Sequence, residues 1–137
     1  MTPLTPGDGH DILERYKRAL ERSDVDLAVS LYREDAELRP DPFEPPLAGD
    51  LAIRAHWNDL VASSTNAEFD AEGAWVSGRT VLASWHGAYT RRSSAERIRE
   101  RGFTTIELDD NGLIARQRLW VIERNVGTDR TYEPHEG

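Results

Sequence analysis

The sequence predicts an α+β fold: a curved antiparallel sheet, shaped like a cone and wrapped around three N-terminal helices. Three observations carry that prediction. Apolar residues recur at helical spacing up to about residue 63 and at a spacing of two beyond residue 66. The stretch 40–46, Pro-Asp-Pro-Phe-Glu-Pro-Pro, stiffens the chain between the first helices and the strand-rich half. Asp109-Asp110-Asn111-Gly112 lies between two long alternating runs, and Asn-Gly tolerates the positive φ of a tight hairpin.

Each element follows from local chemistry. Residues 1–10, with two prolines and two glycines, read as a loose tail. Asp11 offers an N-cap with Glu14 as its capping-box partner, so the first helix is expected from about Ile12 to Arg22. Leu13, Tyr16 and Leu20 form its apolar stripe. Ser23 then caps a short second helix with Leu27, Ala28, Leu31 and Tyr32 facing inward. Ala36–Arg39 is a short strand. Gly49-Asp50 opens the third helix, to about Ser63, with Ile53, Trp57, Leu60 and Val61 on one side and His56 beside them. Strands follow near Glu68–Trp75, Arg79–Arg91, Ile98–Leu108 and Leu113–Arg124. The whole chain, 1–137, is expected to be one domain with an ordered core of about 11–125 and polar ends.

Composition excludes several functions. There are 17 Lys and Arg against 25 Asp and Glu, a net charge of −8, which argues against nucleic acid or an anionic membrane surface as partner. No cysteine is present, so disulfides and thiolate chemistry are ruled out. The two central histidines lack metal-ligand spacing, and no metal is expected. No phosphate loop or nucleophile elbow occurs. Nothing near the N-terminus resembles a signal sequence, and no stretch reaches membrane-span length, so a cytoplasmic location is expected.

The polar candidates are Tyr16, Asp41, His56, His86, Thr104 and Arg118. Asp41 stands between two prolines that hold its backbone extended, as positioning of a working carboxylate requires. Asp-Pro is equally an ordinary turn dipeptide. A phenol or imidazole beside an apolar cavity can donate to a developing oxyanion, and a desolvated carboxylate can move protons. Each also has a structural reading: Tyr16 as a core tyrosine, His56 and His86 as hydrogen-bonders, Arg116 and Arg118 as surface pairs of Glu100 or Glu107. Strand parity groups Leu82, Ser84, His86 and Ala88 against Val81, Ala83, Trp85, Gly87 and Tyr89. Apolar residues on both faces suggest helices on one side and a second subunit on the other.

Several tracts together resemble one family. They are Arg15-Tyr16, Ser23-Asp24-Val25-Asp26, Leu31 to Ala36, Asp41-Pro42-Phe43, Pro45-Pro46, Gly49, and Ile106 to Gly112 with Leu119-Trp120. Over about residues 11–125 the chain resembles the nuclear transport factor 2-like superfamily, in its SnoaL-like and ketosteroid-isomerase-like branches. The resemblance implies a cystatin-like α+β barrel with a deep apolar pocket, a small hydrophobic ligand, no cofactor and a homodimer through the sheet. In steroid isomerases an Asp base moves a proton while a Tyr and a protonated Asp hold the oxyanion. By that likeness Tyr16 matches the oxyanion tyrosine and Asp41, one residue offset, the base. Tyr32 and Trp57 match supporting aromatics, and Trp120 a pocket aromatic. Thr104 stands where the second acid would be, and His56 and His86 where apolar residues would be. These departures favour polyketide-cyclase, dehydratase or epoxide-opening chemistry over steroid isomerisation, with Asp41, Tyr16 and His86 as catalytic residues. Trp57, His56, Thr104, Arg118, Trp120 and Tyr32 would contact substrate. The alternative is a non-catalytic ligand carrier or dimeric association module. A third reading is a transport adaptor using Trp85, Tyr89 and Leu119 as an outer face.

Overall fold

The first helix starts earlier than its apolar stripe implies. In the computed structural model, which describes residues 2–132, α1 runs over Pro6–Glu21. Thr5 is its N-cap: Thr5 Oγ1 accepts from the Asp8 N–H at 3.2 Å and Asp8 Oδ2 accepts from the Thr5 N–H at 2.8 Å. This capping box, with proline at N1, outweighs the two glycines that made the segment look loose. Gly9 packs closely on the sheet: a Cβ there would lie 3.1 Å from Val76 Cγ1. Leu4 is buried and donates its N–H to Gly78 O at 2.8 Å, tying the first residues to the sheet. Thr5→Ala is expected to cost about 1 kcal/mol in urea unfolding; an unchanged midpoint would show that the tie at Leu4, not the cap, holds this end.

α2, Val25–Ser30, is capped by Asp24 rather than Ser23, whose φ of 52° makes it the turn between the helices. β1 spans Tyr32–Arg39 and β2 is the pair Leu47–Ala48. α3 covers Asp50–Ser63 as expected, but buries only Ile53 and Trp57. The remaining strands are β3 Ser64–Ser77, β4 Thr80–Arg91, β5 Glu96–Leu108 and β6 Ile114–Thr128. β3, β5 and β6 extend further than their alternation suggested, and β4 lies where it was expected. The segment after β6 is tied down at Asp129: its N–H donates to Ala95 O at 2.7 Å, and its carboxylate accepts from Thr90 Oγ1 at 2.5 Å.

The strands form one curved, unclosed sheet in the order β2-β1-β6-β5-β4-β3. β3 to β6 is an antiparallel meander, as read. β1 instead lies parallel to β6, which sets the first strand beside the last. The helices fill the concave side, in contact with Val81, Ala83, Trp85, Ile106, Ile114 and Leu119. Strict alternation misassigns β6. A register shift between Glu107 and Leu108 turns Ile114 inward while Arg116, Arg118 and Trp120 face outward. Further shifts in β3, at 65–68 and 71–73, bend the sheet edge.

The faces are therefore reversed with respect to the adaptor reading. Trp85 and Leu119 are buried on the inner side, and Tyr89 follows them. The outer side carries His86, Arg118, Trp120 and Ile122 instead. Among the described residues no helix is long and apolar enough to cross a membrane.

Candidate functional site

A cavity of about 290 Å³ opens between α1, α3 and the concave sheet. Its inner end is aromatic. Tyr16 stands edge-on to Trp57, with centroids 5.7 Å apart, and to Phe69 at 5.2 Å; Phe69 lies 5.2 Å from Trp85. Such pairs add to the burial of the rings themselves. Gly102 of β5 makes room for the Trp85 ring: a Cβ there would lie 2.6 Å from Trp85 Cζ2 and from Trp120 O.

Beneath the aromatic wall is a polar chain. The Tyr32 hydroxyl donates to Gln117 Oε1, Gln117 Nε2 donates to Thr104 Oγ1 at 3.4 Å, and Thr104 Oγ1 donates to Arg118 O at 2.8 Å. Gln117 and Thr104 are fully buried. Burial pushes the Tyr16 and Tyr32 phenols well above the usual range, so both stay protonated. The indole N–H groups of Trp57 and Trp85, both on the cavity wall, are buried with no hydrogen-bond partner.

The outer end is acidic. Glu100 of β5 and Glu123 of β6 are directly cross-strand, and both line the cavity. Burial pushes the Glu100 carboxyl up to about 7, and the neighbouring Glu123 carboxylate adds to the shift. The Tyr89 hydroxyl donates to Glu123 Oε1 at 3.1 Å, and Arg91 Nη2 lies 3.8 Å from Glu123 Oε2. Burial, then the charge of Glu123, pushes Tyr89 up to about 12. Glu100 therefore holds its proton more readily than an isolated carboxyl would. His56 also lines the wall, and burial lowers its pKa, so it is neutral near pH 7.

The expected site residues divide into three groups. Tyr16, His56 and Trp57 line the cavity. Tyr32 and Thr104 support it from below through Gln117. Asp41, His86, Arg118 and Trp120 lie outside it. Asp41 Oδ1 accepts from the Phe43 N–H at 2.9 Å and Asp41 O from the Glu44 N–H at 3.2 Å, so the exposed carboxylate shapes a turn. Of that stretch Pro40 reaches the cavity, while Phe43 is 94% exposed. His86 is on the convex face, with Nδ1 2.8 Å from Glu72 Oε1 and Nε2 3.8 Å from Asp70 Oδ2. Arg118 borders a shallow groove with Glu37 and Arg116. For His86, Arg118 and Trp120 the reason is parity: one face of each strand is concave, and these residues alternate onto the other, whereas Asp41 lies in the turn after β1.

Glu100, Glu123 and Gln117 were missed by the sequence reading, although their signal was present. Parity joins Glu100 to Thr104 and Ile106, and Glu123 to Gln117, Leu119 and Val121. The sequence reading cast Glu100 instead as a surface partner of Arg116 or Arg118. Among the described residues no group of three or more His, Cys, Asp or Glu is placed to hold a metal ion.

Comparison with known proteins agrees with this architecture. One solved structure of similar fold is the epoxide hydrolase/cyclase-like enzyme SalBIII of pyran ring formation in the polyether salinomycin. It has a TM-score of 0.76 and 18% identity, over 85% of this chain and 92% of that one. An LEH-like epoxide hydrolase of M. tuberculosis gives 0.72 and 17%, over 85% and 84% of the two chains. A protein from Shewanella denitrificans OS-217, described as a SnoaL-like polyketide cyclase, gives 0.74 and 17%, over 86% and 92%. At these identities the likeness is one of fold. No curated protein matches the chain. The SnoaL-like domain family model matches residues 13–117, and the chain belongs to the SnoaL-like family of the nuclear transport factor 2-like superfamily.

Proposed function

We propose that this protein is a cofactor-free acid–base enzyme acting on a small hydrophobic compound inside the cavity. The reaction class is isomerisation, cyclisation, dehydration or epoxide opening, on a polyketide- or steroid-like substrate. The observation that carries the reading is Glu100: a carboxyl on an apolar cavity wall, beside a second carboxyl, with its pKa at about 7. A group of that pKa both takes and returns a proton efficiently near neutral pH. Glu100 takes a proton from the reacting carbon or from an attacking oxygen, and Glu123 with Tyr89 and Arg91 sets its basicity. Tyr16, protonated and at the aromatic end, donates to the substrate oxygen. Asp41 and His86, exposed and outside the cavity, serve as controls. A panel of small epoxides and enolisable ketones tests the reading. Turnover that survives in Glu100→Gln but is lost in Asp41→Asn would reject it in favour of the turn carboxylate.

A second reading, a dimeric ligand-binding or association module, draws support from the convex face. Ile122 is 78% and Trp120 39% exposed there, with Phe103 against Trp120 at 6.3 Å. Monomers seldom leave such a patch to solvent. Sedimentation is expected to give a dimer for the wild type and a monomer for Ile122→Arg; a wild-type monomer would remove the sheet-mediated homodimer.

A further inference from the structure

The polar chain below the aromatic wall has a fixed direction. A carbonyl only accepts, so Thr104 Oγ1 spends its one proton on Arg118 O, 2.8 Å away. The Gln117 atom that faces Thr104 must then be a donor. That sets Nε2 there, at 3.4 Å, and turns Oε1 to Tyr32, whose hydroxyl donates to it. One N–H of the amide remains. Gln117 also reaches Tyr16 as a hydrogen-bond partner, and this lowers a phenol pKa that burial raises. A bond that lowers the pKa of an acid favours its anion, so Gln117 is the donor to the Tyr16 oxygen. None of these bonds uses the Tyr16 proton, and the Tyr16 ring lines the cavity. Gln117 itself is fully buried, where each of its polar atoms needs a partner.

We infer that Gln117 is a positioning residue: its second N–H holds the Tyr16 oxygen from below and leaves the Tyr16 O–H to donate into the cavity, to a carbonyl or epoxide oxygen of the ligand. Thr104 keeps the amide from flipping, because its proton is committed to Arg118 O. This rests on the cavity being the substrate site with Tyr16 as its oxygen donor, and it names the residue that aims that donor. Gln117→Glu keeps the shape and has at most one donor, which Thr104 takes. The Tyr16 oxygen then loses its partner, and the Tyr16 proton turns to the carboxyl instead of the ligand.

Tryptophan fluorescence titrations compare 2-acetylnaphthalene with 2-isopropenylnaphthalene, its isostere with a methylene in place of the oxygen. They are run at about pH 6, where Glu100 is largely protonated. The wild type is expected to bind the ketone about tenfold more tightly, and Tyr16→Phe to bring the two within about twofold. Gln117→Glu is expected to cut the ratio to about threefold or less, and to change nothing further in the Tyr16→Phe background. Thr104→Val, which frees the amide to flip, is expected to lower the ratio in the same direction, and it serves where Gln117→Glu does not fold. A merely structural Gln117 would weaken both compounds alike and leave the ratio at about tenfold in both variants. That result overturns the inference and leaves the cavity reading intact. Equal wild-type binding of the two compounds, or binding of neither, overturns Tyr16 as oxygen donor and the inference with it.

Discussion

Glu100→Gln is expected to lower turnover by about 10²–10⁴-fold, the usual contribution of a positioned proton-transfer group. Glutamine keeps the shape and removes the titration. In the wild type kcat/KM is expected to rise with pH through a midpoint of about 7, as the Glu100 carboxyl ionises. The groups facing it are Glu123, across the strand pair, and through Glu123 the Tyr89 hydroxyl and Arg91. Glu123→Gln removes the like charge and is expected to move the midpoint down. The same titration has a signature in stability. A carboxyl whose pKa is raised on folding holds its proton more tightly in the folded state. Its contribution is complete below the ordinary glutamate value of 4.5 and is lost as pH rises through about 7. Above pH 7, Glu100→Gln is therefore expected to be more stable than wild type, by up to about 3 kcal/mol, with the difference vanishing in acid. A pH-independent difference, or a variant weaker than wild type in alkali, would contradict a desolvated Glu100.

Trp57→Ala is expected to cost about 3–5 kcal/mol, the range for deleting a buried indole. Trp57 is 2% exposed, packs edge-on against Tyr16 and joins α3 to the core. Its removal enlarges a cavity that is already present, so the surroundings have little with which to refill it. Urea unfolding at fixed protein concentration measures the loss, and a cost under about 1 kcal/mol would mean that the wall collapses inward. The cost comes chiefly from the apolar contacts of the ring with the core.

Local signals in the chain were strong where they were redundant. Helical spacing, a glycine N-cap and an acidic first turn located α3 at Asp50–Ser63. Alternation and the Asp109–Gly112 turn located the meander. The first turn of α1 was legible as well, in Thr5-Pro6 and Asp8, but was outweighed by its glycines. The candidate site was half legible. Tyr16, His56 and Trp57 follow from helix faces that had to turn inward. Asp41 and His86 failed for a different reason: their local settings, a proline frame and a long strand, are the same whichever way the side chain faces.

The sequence by itself determined the family, the order of the elements apart from the two-residue β2, and the absence of thiol chemistry, because each of these depends on residues near one another in the chain or on composition. Only the tertiary structure decided which strand face became the concave one. A strand offers two equivalent faces, and the choice is made by where the helices pack and where register shifts, as at 107–108 in β5, change the phase. That choice carried Glu100 and Glu123, 23 residues apart in the chain and directly paired across β5 and β6, to one cavity wall. It also set the pKa of Glu100, since desolvation and a neighbouring charge are properties of the assembled wall and of no single stretch of sequence.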